Sequence, residues 1–123
     1  MHEVSLMTNL LEIAAGAARR EGASKIDAIH LRIGELAGVN IDALRFAFEI
    51  LARGTPAEGG RLEYETVALR ARCRGCKSEF RPDGIVLRCS SCRSNNVELM
   101  SGRELEIDYI LIEKQRDETR SNG

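Results

Sequence analysis

Four cysteines in two matched pairs are the residues of this sequence with the clearest chemistry. Cys73 and Cys76 are separated by two residues, Cys89 and Cys92 are separated likewise, and twelve residues lie between the pairs. Two CxxC turns at this separation place four thiolates at the corners of one tetrahedron, the closed coordination that structural Zn(II) takes. The pattern therefore predicts a structural zinc site.

Disulfides, a thioredoxin-like redox site and iron binding are the other uses of paired cysteines. A thioredoxin-like CxxC needs one pair opening a helix after a strand, and a second matched pair has no role there. Disulfides need an oxidising compartment, and the amino terminus shows no basic segment followed by an apolar run that would act as a secretory signal. A single iron ion also accepts four thiolates, so iron remains open on geometry alone. Gly75, Ser90 and Ser91 are small residues that fit tight turns whose N–H groups point at the sulfurs.

The two histidines of the chain differ in context. His30 lies in the middle of a predicted strand, where a partly exposed structural role is the simplest explanation. His2 lies between Met1 and Glu3, where an imidazole, backbone nitrogens and a carboxylate are available to one ion. Nitrogen donors in a square plane suit Ni(II) or Cu(II). On spacing alone, a disordered terminal histidine is the simpler explanation.

Composition indicates a small globular protein. The 123 residues are 43% hydrophobic and 30% charged, with a formal net charge of −1. This length suits one small domain plus a metal-held module, and the charge predicts no general attraction to nucleic acid or anionic membranes. No apolar run approaches the length of a membrane span, so we expect a soluble, cytoplasmic protein.

Hydrophobic periodicity predicts an α+β fold. Apolar residues recur at helical spacing in two segments and alternate in three others. A right-handed crossover between the first two strands predicts that they are parallel, with the third antiparallel to one of them. We therefore expect two helices on a small three-stranded mixed sheet, with a zinc-ribbon-like module inserted. The predicted helices are about 3–20 and a second one that is capped by Asn40 and stopped by Gly54 and Pro56. The predicted strands are 25–33, 61–69 and 105–111.

The positions of the four cysteines predict how the chain divides into domains. We expect residues 1–70 and 104–113 to form an α/β domain that includes His2, the candidate ligand for Ni(II) or Cu(II), and residues 71–103 to form the zinc-binding module. Residues 114–123 are polar and are predicted to form a flexible tail.

Three features together carry a resemblance to a known family. Met1-His2-Glu3 precedes a helix directly, Ile33-Gly34-Glu35-Leu36 follows the first strand, and the paired CxxC motifs follow later. This combination resembles the hydrogenase maturation nickel metallochaperone family, HypA/HybF, from Met1 to about Glu113. The resemblance implies that His2 is the principal Ni(II) ligand, with backbone nitrogens near Met1 and Glu3 contributing.

The same resemblance implies the remaining ligands and the partners. Zn(II) is structural and is held by Cys73, Cys76, Cys89 and Cys92, whereas Ni(II) is carried transiently. Some relatives place a carboxylate near the nickel where this chain has the neutral amide of Asn40. The implied partners are a nickel-loading accessory GTPase, the large subunit of [NiFe]-hydrogenase and, in some organisms, urease accessory proteins. We expect a monomer or weak homodimer with no membrane partner.

Catalysis is not expected, and a binding module is the alternative function. The sequence has no phosphate-binding loop or nucleophile motif, and a closed zinc site holds no water to activate. Between Arg70 and Arg93, seven basic residues stand against two acidic ones, so a zinc ribbon here would suit nucleic acid or an acidic protein. Phe80 is its only aromatic residue, which disfavours nucleic acid.

Overall fold

The fold is the α+β arrangement that the sequence predicts. A computed structural model describes residues 2–84 and 86–114. The elements are α1 (Glu3–Arg20), β1 (Ala23–Gly34), α2 (Ile41–Leu51), β2 (Arg61–Val67), β3 (Arg70–Cys73), β4 (Glu79–Phe80), β5 (Val97–Ser101) and β6 (Leu105–Lys114). Helix α1 has the predicted bounds, and α2 begins after Asn40 as predicted and ends at Leu51, before the predicted stop at Gly54. The strands form two sheets, of order β2-β1-β6 and β4-β3-β5.

The described residues leave out a part of each chain end. Met1 lies outside the described residues. The predicted tail begins inside β6, because Lys114 is the last residue of that strand, and its other residues lie outside the described part. Within residues 2–84 and 86–114, neither helix has the length and apolar character that crossing a membrane requires.

The first sheet is mixed, with β1 in its centre. His30 and Arg32 pair with Glu63 and Glu65, so the partners advance in the same direction along β1 and β2, as in parallel strands. β6 runs antiparallel to β1. Gly34 N–H donates to the Glu104 carbonyl and His30 stacks on Tyr109, so a later residue of β1 contacts an earlier residue of the β6 segment. Ile29, Leu31 and Ile33 are buried along one face of β1, as the alternation predicts.

The start of α2 is fixed by two hydrogen bonds at Asn40. Its side-chain Oδ1 accepts a hydrogen bond from Ala43 N–H at 2.9 Å, the usual role of an N-cap. Its backbone N–H donates to Oε2 of Glu3 at 3.0 Å. Glu3 is 5% exposed and is the one charged side chain found buried in the described part of the chain. The first turn of α1 is thereby joined to the beginning of α2.

The chain divides into two compact units. The first comprises the described parts of Met1–Leu31, Val39–Tyr64 and Glu106–Gly123, and the second comprises Arg32–Gly38 and Glu65–Leu105. The second unit is thus larger than residues 71–103. Its extra segments belong to it because Leu36 N–H donates to the Gly102 carbonyl at 2.7 Å.

Glu35 makes the strongest connection within the second unit. Its carboxylate accepts hydrogen bonds from the Arg81 guanidinium at 2.6 Å and from Leu69 N–H at 2.7 Å. These two donors hold the pKa of Glu35 below its usual value. Gly34 is required beside it, because a Cβ on Gly34 would lie 2.1 Å from the Gly102 carbonyl carbon. Gly102 is required because its φ is 117° and a Cβ there would lie 2.8 Å from Cα of Leu69.

The Asn40 cap leads to a first testable prediction. Asn40→Ala should lower the free energy of unfolding by about 1 kcal/mol in urea denaturation, because an N-terminal N–H of α2 loses its acceptor. The backbone bond to Glu3 is unaffected by this change. Asn40→Ser is the matched control, and its stability should stay close to that of the unmodified protein. Equal stability of the Ala and Ser variants would refute the capping role.

Candidate metal centre

The four cysteine sulfurs lie around one point. Sγ of Cys73 is 3.6 Å from Sγ of Cys92, and Sγ of Cys76 is 3.5 Å from Sγ of Cys89. All four lie within 4.8 Å of one another, and all are free thiols. Tetrahedral Zn(II) with bonds of about 2.3 Å would separate its sulfur ligands by about 3.8 Å. The donor set therefore fits a closed tetrahedral metal site, and it contains no disulfide.

Each cysteine pair is shaped by one tight turn, and the two turns have the same design. In the first, Cys76 N–H points at Sγ of Cys73 at 3.4 Å, and Lys77 N–H donates to the Cys73 carbonyl at 2.9 Å. The second turn repeats these bonds with Cys92, Cys89 and Arg93 at 3.4 and 2.9 Å. Both basic residues have a left-handed backbone, with φ of 69° at Lys77 and 67° at Arg93.

A serine completes each turn, and our sequence reasoning missed both. Cys73 N–H donates to the Ser78 carbonyl at 2.9 Å, and Cys89 N–H donates to the Ser94 carbonyl at 2.8 Å. The Ser78 hydroxyl also lies 3.1 Å from Sγ of Cys76. The signal was present in the sequence, because Cys-x-x-Cys-basic-Ser occurs at both turns. Ser91 N–H, in contrast, points at Cys89 Sγ at 3.3 Å, as its small size predicts.

The electrostatics of the cluster call for a cation. Cys92 N–H and the Ser78 hydroxyl lower the pKa of Cys89 to about 5, which favours its thiolate. Ser94 N–H also favours the Cys92 thiolate, but the sulfurs of Cys73 and Cys89 outweigh it and raise the pKa of Cys92 to about 11. Neighbouring thiolates thus oppose the last ionisation. A metal ion among the sulfurs would remove this penalty, since the thiolate is the ligating form.

Few apolar residues are buried around the four sulfurs. Cys73 and Cys89 are buried beside Ala71 and Phe80, whereas Cys76 and Cys92 are exposed. Val97 and Leu99 of β5 pack against this group. Because this apolar cluster is small, a metal bound by the four sulfurs would be the main means of holding the two turns together.

The residues predicted near nickel fall into two groups. Glu3 and Asn40 are joined by their hydrogen bond of 3.0 Å, although 37 positions separate them. His2 is exposed at the start of α1, its carbonyl accepts Leu6 N–H at 2.9 Å, and its side chain makes no capping bond. His30 lies elsewhere, stacked on Tyr109 at 4.7 Å and 3.6 Å from Glu63. That environment is the structural one predicted for it.

Together, the α+β fold and the two matched cysteine turns define a small metal-binding protein with a zinc-ribbon-like module. A family described as "Hydrogenase/urease nickel incorporation, metallochaperone, hypA" matches residues 1–112. This chain belongs to the HypA family.

Relatives agree with this assignment, and a solved structure agrees with the fold. Hydrogenase maturation factor HypA of Chlorobaculum tepidum is 42% identical over 113 residues, which are 92% of this chain and 100% of that protein. The protein of the same name from Chloroflexus aurantiacus is 54% identical over 67 residues, 54% of this chain and 59% of that relative, so less than two thirds of its length is matched. The solution structure of the Ni metallochaperone HypA from Helicobacter pylori has a TM-score of 0.71 at 23% identity, covering 94% of this chain and 100% of that one. That likeness supports the fold alone.

Removing one sulfur should remove the metal. We expect Cys73→Ser to lose the metal bound at the four cysteines, because a closed site depends on every ligand. Loss of coordination worth about 10 to 16 kcal/mol in zinc peptides should unfold the second unit. Metal analysis by native mass spectrometry and amide hydrogen exchange would measure both effects. A folded Cys73→Ser protein with its full metal content would contradict the four-thiolate site.

The left-handed turn residue provides a finer test. Lys77→Val should weaken metal retention in a competition with a colorimetric chelator, because a β-branched residue is strained at φ of 69°. Lys77→Gly removes the same charge without that strain and serves as the matched control. We expect the glycine variant to retain metal as well as the unmodified protein. Equal metal loss from both variants would assign the effect to charge instead.

Proposed function

We propose that this protein is a nickel metallochaperone that binds Ni(II) at its amino-terminal segment and delivers it during maturation of [NiFe]-hydrogenase. The observation that carries the proposal is the family match over residues 1–112. On this view the protein performs no catalysis and acts in the cytoplasm, a compartment that keeps thiols reduced. Delivery to urease is a second use that the family description would allow.

We assign Zn(II) to the four-cysteine site as a structural ion. The spacing of the sulfurs and the N–H groups directed at Cys73 and Cys89 support this assignment. When bound, Zn(II) supplies structural coordination and no open position for a substrate. The chain's own contribution is two turns whose backbone N–H groups orient the sulfurs toward the metal.

We assign Ni(II), the transported ion, to His2. Its exposed imidazole takes no part in capping α1, and the first N–H groups of a helix have no carbonyl partner within that helix. An imidazole beside deprotonated backbone nitrogens is the donor set that square-planar Ni(II) prefers. Met1 and Glu3 would contribute through backbone nitrogen.

Glu3 and Asn40 would support this site indirectly. The Glu3 carboxylate already accepts a hydrogen bond from the Asn40 backbone, and the Asn40 amide oxygen already caps α2. Both side chains therefore have structural tasks that fix the start of α1. We propose that they position the nickel-binding segment, with the neutral Asn40 a weaker candidate ligand than a carboxylate would be.

Release of nickel would depend on partners. A site with one side-chain ligand at a chain end is easily dismantled, which suits transfer. A nickel-loading accessory GTPase and the hydrogenase large subunit are the proposed partners, with urease accessory proteins where urease is served. Intrinsic affinity favours Cu(II) over Ni(II) at nitrogen donors, so selectivity must come from metal availability and from these partners.

The two histidines give a matched test of the nickel site. His2→Ala should abolish stoichiometric Ni(II) binding in isothermal titration calorimetry, because the only side-chain nitrogen at that site is lost. His30→Gln is the control and should bind Ni(II) as the unmodified protein does. Both variants should keep the metal of the four cysteines, measured by native mass spectrometry. Full nickel binding by His2→Ala, or its loss in His30→Gln alone, would refute the assignment.

A further inference from the structure

A basic cleft lies in the second unit, beside the cysteine turn of Cys89. Its volume is about 300 Å³, and it opens to solvent. Three arginines line it, against a single acidic side chain, Asp83. The lining residues are Phe80, Arg81, Pro82, Asp83, Val86, Arg88, Cys89, Ser90 and Arg93.

Arg88 and Arg93 differ from two neighbouring arginines because neither is paired with a carboxylate among the described residues. Arg81 donates to Glu35 at 2.6 Å, and Arg72 donates to Glu79 at 2.7 Å, so each of these cations already has a carboxylate. Within the described part of the chain, Arg88 and Arg93 have no such acceptor. Both are exposed. Their charge is available to a ligand.

The metal centre does not account for this charge. Four thiolates with one Zn(II) carry two net negative charges. Between Arg70 and Arg93, seven basic residues stand against two acidic ones, which leaves a positive excess after the metal centre is included. Because the cleft lining itself has three arginines against Asp83, it attracts anions in a protein whose overall charge is −1.

The apolar part of the lining distinguishes between classes of anion. Val86 is 55% exposed, so the cleft offers an aliphatic surface beside its arginines. Phe80, its only aromatic lining residue, is 9% exposed and packs against Ala71 and Cys73. A buried ring cannot stack on bases, which is the usual source of affinity for single-stranded nucleic acid. Carboxylates next to an aliphatic side chain fit the cleft better.

We propose that this cleft binds an acidic segment of a partner protein. Carboxylates of the segment pair with Arg88 and Arg93, and a neighbouring aliphatic side chain covers Val86. Guanidinium groups suit this task because they bind carboxylates in a bidentate manner. The contact requires no nickel, so it can be tested independently of the nickel assignment.

Fluorescence anisotropy with the full-length, zinc-loaded protein tests the proposal. The probe is a labelled peptide of alternating glutamate and leucine, and the reference peptide has glutamine in place of glutamate. We expect the acidic peptide to bind at least about tenfold more tightly than the reference peptide. Its affinity should fall as salt is raised from about 0.05 M to about 0.2 M, because the Debye screening length becomes shorter.

A double variant locates the binding site. Arg88→Gln with Arg93→Asn should weaken binding of the acidic peptide about tenfold, and asparagine tolerates the left-handed backbone at position 93. Arg19→Gln with Arg20→Gln removes the same charge from the exposed end of α1 and should change affinity less than about twofold. Native mass spectrometry must show full zinc content in both. If the cleft variant loses zinc, amide chemical shifts of the unmodified protein decide, and they should change at Arg88, Ser90 and Arg93.

Three results would overturn the proposal. Equal affinity for the acidic and neutral peptides would remove the role of the arginines. Unchanged binding by the zinc-loaded cleft variant, or shift changes away from the cleft, would place the peptide elsewhere. Tighter binding of a single-stranded oligonucleotide that depends on Arg88 and Arg93 would identify the cleft as a nucleic-acid surface.

Discussion

The close approach of four cysteine sulfurs, all within 4.8 Å of one another, is the constraint on which the second unit depends. Backbone N–H groups favour the thiolate of Cys89, yet the neighbouring sulfurs raise the pKa of Cys92 to about 11. The arrangement is therefore incomplete without a cation. Since the buried cluster around Cys73 and Phe80 is small, a metal ion offsets both the repulsion and the shortage of apolar contacts.

Local backbone geometry explains how two short turns meet this demand. Lys77 and Arg93 reverse the chain with a left-handed backbone, and Ser78 and Ser94 return carbonyls to the first cysteine of each pair. These bonds orient the sulfurs within each turn, and a bound metal would join the two turns. Arg88 lies in the intervening segment and takes no part in these bonds, so it is available for the recognition proposed above.

The parts of the fold that could be predicted are those with local signals. Both helices, the Asn40 cap and the cysteine turns follow from periodicity, capping preference and spacing. The sheet of β3, β4 and β5 was not predicted, because β4 has two residues and shows no alternation. The burial of Glu3 could not be predicted from the sequence either, since its partner Asn40 lies 37 positions away. Contacts at that separation depend on the completed fold.

The proposed function would impose opposite requirements on two ions. A structural ion would have to survive every exchange with a partner, which closed coordination by four sulfurs would provide. A transported ion would have to leave, which would favour an exposed ligand such as the proposed His2 on the first residues of a helix. That segment still needs a defined position, and the buried Glu3 provides one through its hydrogen bond to Asn40. The chain therefore fixes the base of the proposed nickel site while leaving its ligand accessible to whatever protein receives the ion.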